Sequence, residues 1–527
     1  EFVGTANTIA KTIVSEVTLP IEGKTIKPKR MGGIAGGEKF LEQGIFFKFA
    51  IDAYKVYGGD KFAMKAASHE IQGLKAFAET ETQGLCIPLS CIIDYSGYRV
   101  VASARLPISQ DTLIYGSSDG GMTIHRKDPV FNEMMEAAAE QMNIKAHEVA
   151  SGIVLHSAVD MEGHKGTDGR YYVLDTARVF PPEPPLRTFV AVVIPADTTS
   201  PHKWAPSIPI CEMELIAQRS RWEEQVRTYL RTGHREYDDV HVNLIDGQVW
   251  HLDDPAASLP LNSRASSLVS RVVRGPAVYV IEPGQKSTQL FNLLRANHVV
   301  RQPHPLSSDA FTSFGRIDQD IHNTEVEDAF YRLLGIDIIN FVKFITSREN
   351  FDLTHDHLIT TIKNFGINFR LLGFLRSHIP IEPANKTLRS MLLVEMVTRV
   401  VKNDIRASLR SARRLSKNSD ICVTPSICER QAHEIILSSF NLLLGNSTSS
   451  NFMWHSFIKT HLICKYGQYG QTLTEAELDA NYDLRLEVNK LQLFQTLSAQ
   501  LGVQFKDTVQ LKFQRHPEFF EASSPFG

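Results

Sequence analysis

The sequence predicts an α+β chain in two main parts: a mixed α/β domain over residues 40–305, followed by an all-α domain over residues 306–515. Three observations carry that expectation. Short runs of alternating apolar residues, separated by Gly- and Asp-containing turns, fill the first part, as strands do. After the turn-rich 302–309 stretch, apolar residues recur every three to four positions until about residue 505, which is the helical period. Finally, 527 residues exceed what one hydrophobic core accommodates, while 43% hydrophobic and 22% charged residues exclude wholesale disorder. Residues 1–39 read as a polar lead-in ending in the glycine-dense stretch Gly32–Gly37, a hinge rather than a phosphate loop, and residues 516–527 as a tail.

The elements follow in order. Residues 44–50 and 61–67 alternate like strands on either side of the turn Gly58-Gly59-Asp60. Ser68 fits a helix N-cap, with Ile71, Leu74 and Phe77 on one face. Residues 91–95 and 98–102 form a hairpin around Ser96-Gly97. A helix over 130–142 follows Pro129. Strands over 154–160 and 170–175 enclose the glycine-rich segment Gly163–Gly169, and the prolines at 181, 182, 184 and 185 end the run. Beyond them we expect a helix at 211–231, a strand at 278–281 and a loop over the polar run Asn446–Asn451.

Charge and cysteine usage narrow the function. With 56 basic against 59 acidic residues the net charge is −3, which excludes a globally basic nucleic-acid binder but leaves room for a local basic face. No apolar run is long enough to cross a bilayer, so membrane insertion is not expected. The six cysteines include no CxxC pair and read as buried thiols of a reducing, cytoplasmic compartment. The chain starts Glu1-Phe2-Val3-Gly4, without an initiator Met or a signal-peptide core, and reads as the cut end of a longer protein.

Two constellations carry possible chemistry. The first is an order of residues suited to phosphoryl transfer. Lys65, on a strand, is placed to hold nucleotide phosphates, and Glu70 or Glu79 in the next helix to orient it. Asp160 and Asp175, ending successive strands, supply one carboxylate for Mg²⁺ and one for the attacking hydroxyl. This makes an ATP- and Mg²⁺-dependent phosphotransferase the alternative reading. Its spacing is imperfect. Glu70 follows Lys65 by only five residues, and His164 and Lys165 stand where a second metal-binding Asn belongs. The carboxylates are therefore read first as architecture, with no cofactor expected and a binding role favoured over catalysis. Neither His156-Ser157 nor Gly116–Gly121 supports a Ser-His-Asp site, and His355 and His357 fall on a helix that would point them apart.

The second constellation is electrostatic. Arg399, Lys402, Arg406, Arg410, Arg413 and Arg414 recur at helical spacing, with Lys417 just beyond, and Leu393, Met396, Val397 and Val400 supply the buried face. Such a stripe fits a phosphate backbone, which makes RNA or ribosome-associated proteins the expected partners.

Several blocks together resemble the clustered-mitochondria (Clu) family. They are Asp94-Tyr95-Ser96-Gly97-Tyr98-Arg99-Val100, the stretch Ile114–Ile124 containing Tyr115-Gly116-Ser117, the stretch Val159–Asp175 continuing to Arg178-Val179-Phe180-Pro181-Pro182, then Gly366–Gly373, and Glu395-Met396-Val397-Thr398-Arg399. The resemblance implies a cytosolic, mRNA-associated protein that affects mitochondrial distribution. It departs from the family in three ways. A ubiquitin-like region and a tetratricopeptide array are not evident, Met122 replaces the family's lysine in Gly121-Met122-Thr123, and Lys65 is not a family expectation.

Overall fold

A computed structural model of the chain describes residues 1–29, 37–150, 152–184, 241–244, 248–251, 254–260, 304–312, 314, 319–347, 354–417, 425–467, 472–479 and 481–515. The expected helix at 211–231 and strand at 278–281 lie outside these residues, as do Gly32–Gly36. The chain is α+β, with strands and helices mixed in the N-terminal part and helices from residue 319 onward. It divides into two compact units, one of residues 1–184, 301–330 and 403–435 and the other of 185–300, 331–402 and 436–527.

The first unit begins with α1 (Phe2–Ser15), where the sequence reading has a polar lead-in. Ala6, Ile9, Ala10, Ile13 and Val14 recur at helical spacing and are buried with Phe40, Phe47, Phe49, Val100 and Ala102. Those partners belong to an antiparallel sheet of order β1-β2-β5-β4: β1 (Lys39–Glu42), β2 (Ile45–Phe49), β4 (Ser90–Tyr95) and β5 (Tyr98–Ala104). In β2 the residues Ile45, Phe47 and Phe49 are buried, so Phe46 and Lys48 project to the other face. The β4–β5 turn carries Ser96 and Gly97, both at positive φ, as a two-residue hairpin of this hand requires.

The next helix, α2 (Asp60–Glu79), corrects the expectation of a strand over 61–67. Buried Ala63, Met64, Ala67, Leu74 and Phe77 follow the helical period, and the short alternation around Phe62 and Met64 is incidental to it. Gly59, at φ 123°, starts the helix, and the Asp52 carboxylate caps the preceding loop by accepting the N–H groups of Val56, Tyr57 and Gly59. Met64 and Ala67 pack with Val101 on the second face of the sheet.

A second sheet has the order β3-β11-β10-β6-β7, formed by β3 (Leu85–Cys86), β6 (Leu113–Gly116), β7 (His125–Arg126), β10 (Glu162–Lys165) and β11 (Tyr171–Leu174). The β3–β11 pairing is parallel and the others are antiparallel. Glu162–Lys165 is thus a strand where a turn was expected, and the turn is confined to Gly166–Gly169. The expected 154–160 strand shrinks to β9 (Ile153–Leu155), paired with β8 (His147–Ala150). Helix α3 (Pro129–Gln141) forms as expected, with the Asp128 carboxylate accepting the N–H groups of Val130 and Phe131. Its Phe131 and Met135 pack on Tyr115 and Val173. Residue 163 must be glycine, since a Cβ there would stand 2.2 Å from the Phe131 ring.

The described residues 241–260 form a three-stranded antiparallel sheet, β12 (His241–Leu244), β13 (Gln248–His251) and β14 (Asp254–Pro260). Elsewhere in the second unit the described elements are helical, including Ile338–Thr346, His355–Asn364, Leu372–His378 and Lys490–Leu501. Within it the buried Arg376 makes a two-pronged bond to Glu477, at 2.8 and 2.6 Å, and also donates to the carbonyls of Arg389 and Thr472. The expected loop over the polar run Asn446–Asn451 reduces to residues 445–447, because Ser447 caps a helix that starts at Thr448.

Candidate functional site

Strand β2 is the origin of the most chemically distinctive cluster. Lys48 Nζ lies 3.5 Å from Glu70 Oε2 on α2, with both side chains largely buried. Directly across the β1–β2 ladder from Lys48 stands Lys39, so two ammonium groups neighbour each other on one face of the sheet. Asp175 directly follows β11. Thr176 Oγ1 donates to the Glu70 carbonyl at 2.8 Å, and Gly73 lets Thr176 approach so closely that a Cβ there would lie 2.3 Å from the Thr176 carbonyl oxygen. The end of β11 is thereby tied to the turn of α2 that carries Glu70.

The electrostatics agree with this placement. Burial alone would lower the Lys48 pKa, but the carboxylates of Glu70 and Asp175 outweigh it and hold the ammonium well above its ordinary value. Lys39 is lowered, by burial first and by Lys48 next, against the pull of Asp175 and Glu162. Burial pushes Glu70 up, and Asp175 adds to that while Lys48 opposes it. Asp175 itself is exposed, accepts no hydrogen bond from a described residue, and sits in the left-handed region at φ 54° and ψ 46°. A non-glycine residue there is strained, and such strain concentrates at functional positions.

The expected phosphoryl-transfer residues are placed differently from one another. Lys65 is on helix α2, not on a strand, and is exposed. Five residues of helix turn the side chain by about 140°, so Glu70 cannot pair with both Lys65 and Lys48. Glu79 pairs instead with Lys75 in solvent. Asp160 is clasped by Arg178, whose Nε and Nη2 donate to its two oxygens at 2.8 and 2.7 Å. The same Arg178 Nη2 donates to Asp309 at 2.9 Å. Asp309 is fully buried and also accepts from the Val159 N–H, and it bonds His147 Nε2 at 2.8 Å. Asp160 therefore anchors an arginine, and it does not stand beside Asp175 as a second open carboxylate. Among the described residues no group of three or more His, Cys, Asp or Glu side chains could hold a metal ion.

Sequence reasoning missed Lys48, Arg178 and Asp309. Lys48 carried a signal, as the one charged residue inside the apolar alternation Ile45–Phe49. Asp309 carried none, since its partners lie more than a hundred residues away.

The basic stripe lies on the helix Lys386–Lys417, of which residues 403–417 belong to the first unit. There its arginines grip the β4–β5 hairpin. Arg406 Nη2 reaches Asp94 Oδ2 at 2.6 Å, a carboxylate that also pairs with Arg99. Arg410 Nη1 donates to the Gly97 carbonyl at 2.6 Å, and Arg413 Nε to Ser96 Oγ at 2.8 Å. Arg410 and Arg413 are buried. Gly97 has no room for a side chain, because a Cβ would lie 2.5 Å from the Arg406 carbonyl oxygen. In the second unit Arg399 bonds Glu395 and stacks on the Phe369 ring at 4.0 Å, while Lys402 bonds Gln500 Oε1 at 2.5 Å. The side chain of Arg414 lies outside the described residues. The stretch 392–398 is buried on every side, so this part of the helix is a core element rather than an amphipathic one.

Comparison with known proteins finds similarity to one family in the N-terminal third. The sequence model described as Clustered mitochondria matches residues 1–185. Residues 1–185, about a third of the chain, are thus similar to the clustered-mitochondria family. The "Clustered mitochondria protein homolog" of Anopheles gambiae is 34% identical over 170 residues, which is 30% of this chain and 12% of that protein. The human protein of the same name is 32% identical over 158 residues, 28% of this chain and 12% of the relative. "Protein clueless" of Drosophila willistoni is 32% identical over 158 residues, 28% of this chain and 11% of its own length. The chain thus spans a small part of the relatives it matches. No solved structure matches it significantly. Within the Clu segment, the block Asp94–Val100 is the hairpin held by the arginines, and the block Val159–Arg178 contains Asp160, Asp175 and Arg178.

Proposed function

We propose that this chain is a clustered-mitochondria-type binding and scaffold protein, cytosolic, associated with RNA or ribosome-bound partners and linked to mitochondrial distribution. The match of residues 1–185 to that family is the observation that carries the reading. No described helix is long and apolar enough to cross a membrane, which accords with it. Ultraviolet crosslinking in cells, with RNA recovered under denaturing conditions, tests the RNA partner. Recovery above an unrelated control of equal size is the expected result, and recovery equal to that control overturns it.

The residues expected to contact RNA differ in how cleanly they can be probed. Arg406, Arg410 and Arg413 are engaged by the chain's own oxygens, so reversing them tests folding first. Lys402 is half-buried and donates to the Gln500 side-chain oxygen, and Lys402→Glu is the companion variant. If it touches a phosphate, the variant lowers the salt-dependence slope of RNA binding by about one unit.

A further inference from the structure

We propose that the loop between β2 and α2 is a membrane-surface anchor, whose tip inserts among the headgroups of anionic lipids. The inference goes beyond the scaffold reading and does not depend on it. It requires no membrane-crossing segment.

The tip gathers large apolar side chains in solvent. Four consecutive residues, Ala53 to Val56, are exposed. Tyr54 keeps 67% and Val56 52% of its accessible surface, and Phe62, in the first turn of α2, keeps 49%. The loop and the helix start adjoin, since a Cβ on Gly58 would stand 3.9 Å from the Phe62 ring. Exposed apolar side chains that cluster, unlike scattered ones, mark an interaction surface.

The loop is also held in shape. The Asp52 carboxylate accepts the N–H groups of Val56 and Gly59 at 2.7 Å each and that of Tyr57 at 3.1 Å. The Asp52 N–H donates in turn to Asp60 Oδ1 at 3.0 Å, which ties the two ends of the loop together. Tyr54 and Val56 are therefore carried outward by a pre-organised backbone, and inserting them orders little additional chain.

Charge selects the occupant. Lys55 lies between Tyr54 and Val56, and Lys61 precedes Phe62, with its ammonium 5.8 Å from the ring centroid. Both lysines are exposed, and neither is ion-paired with a described residue. The acids of the segment are engaged elsewhere. Asp52 is bound to its own loop's N–H groups, while Asp60 accepts the Asp52 N–H and faces Arg410 Nε at 3.6 Å. What the tip offers outward is positive charge interleaved with aromatic and aliphatic groups. An anionic bilayer surface answers both, with phosphates for the lysines and the acyl boundary for the rings and Val56. A peptide ligand is ordinarily seated in a groove, whereas a projecting tip enters a yielding surface.

Flotation of the whole chain with lipid vesicles tests the anchor, using phosphatidylcholine alone and phosphatidylcholine mixed with phosphatidylserine. Two lysines at an anionic surface predict roughly 20-fold tighter partitioning to the mixed vesicles. Tyr54→Ser combined with Val56→Ser should weaken it at least about tenfold at unchanged melting temperature, because both side chains are exposed in the free chain. Lys55→Gln should weaken it about fivefold, and the difference should fade in high salt. Tyr54→Trp should show, relative to the parent chain, an indole fluorescence that shifts to the blue with mixed vesicles and is quenched by brominated lipid. No flotation with mixed vesicles overturns the proposal. So does flotation that the double Ser variant leaves unchanged. Tip-dependent self-association in sedimentation without vesicle binding also overturns it, and makes the occupant a second copy of the chain.

Discussion

The two concentrations of positive charge in the first unit are built in opposite ways. The arginines of residues 406–413 end on oxygens of their own chain: a carboxylate at Asp94, a backbone carbonyl at Gly97 and a hydroxyl at Ser96. The lysines of β1 and β2 stand directly opposite each other, and the Asp175 carboxylate is exposed and without a hydrogen bond from a described residue. In sequence the first group looks like the ligand-binding surface and the second is nearly invisible. In the structure the first group is bonded to the chain's own oxygens. Arginine at regular spacing shows where charge lies along a helix, but not whether it faces solvent or the rest of the fold.

The largest expected effect breaks the comparison at its saturated side. Reversing Arg406, Arg410 and Arg413 to Glu together should abolish cooperative unfolding of the first unit, read by urea denaturation with far-ultraviolet circular dichroism. A variant that still unfolds cooperatively would show that the arginines are not structural. Asp309→Ala strands both Arg178 and His147 beside a lost carboxylate, and should cost about 3–5 kcal/mol in the same assay. Gly97→Ala, which crowds the Arg406 carbonyl at a positive φ, should cost about 1–3 kcal/mol.

At the second group the effects shrink and diverge. Lys48→Met leaves Glu70 mostly buried without its cation and should cost about 1–3 kcal/mol. Asp175→Asn should stay within about 0.5 kcal/mol of the parent, since its side chain is exposed. Equal losses for these two variants would show that Asp175 supports the fold as much as Lys48 does.

The smallest effect is a pH response. The N–H and hydroxyl of Thr123, with the Ser117 hydroxyl, hold the half-buried Asp119 carboxyl down to about 2. A depressed acid contributes its stabilisation above its unfolded value and loses it as pH falls through the folded one. The Thr123 amide resonance should therefore stay put down to about pH 3 and shift with a midpoint near about pH 2. A shift centred near the ordinary aspartate value would show that the turn does not hold the carboxylate.

Elements with strong local signals were legible in the sequence. The Ser96-Gly97 hairpin, the Pro129 helix and the strand around Ile45–Phe49 all form where turn residues, a proline start and strict alternation place them. Lys61–Ala67 was misread because four alternating positions fit a strand while the longer run from Ala63 to Phe77 fits a helix. At the candidate site, Glu70 and Asp175 were visible from their order along the chain. Their lysine was not, because a cation inside an apolar alternation is ordinarily a solvent-facing strand residue. The pairing of Arg178 with Asp309 depends on a contact 131 residues apart, which no local pattern encodes.

That long-range closure bears on how the chain comes to be folded. Asp309 completes the arginine clasp behind β11, and Arg406, Arg410 and Arg413 brace the β4–β5 turn. As the ribosome extends the chain from its N-terminus, the family-matched first third must wait for roughly two hundred further residues before its last supports emerge. A nascent chain paused before residue 309 would expose a cationic Arg178 and an unbraced hairpin, making this region a client for chaperones during synthesis. An excised 1–185 fragment would remain permanently in that state.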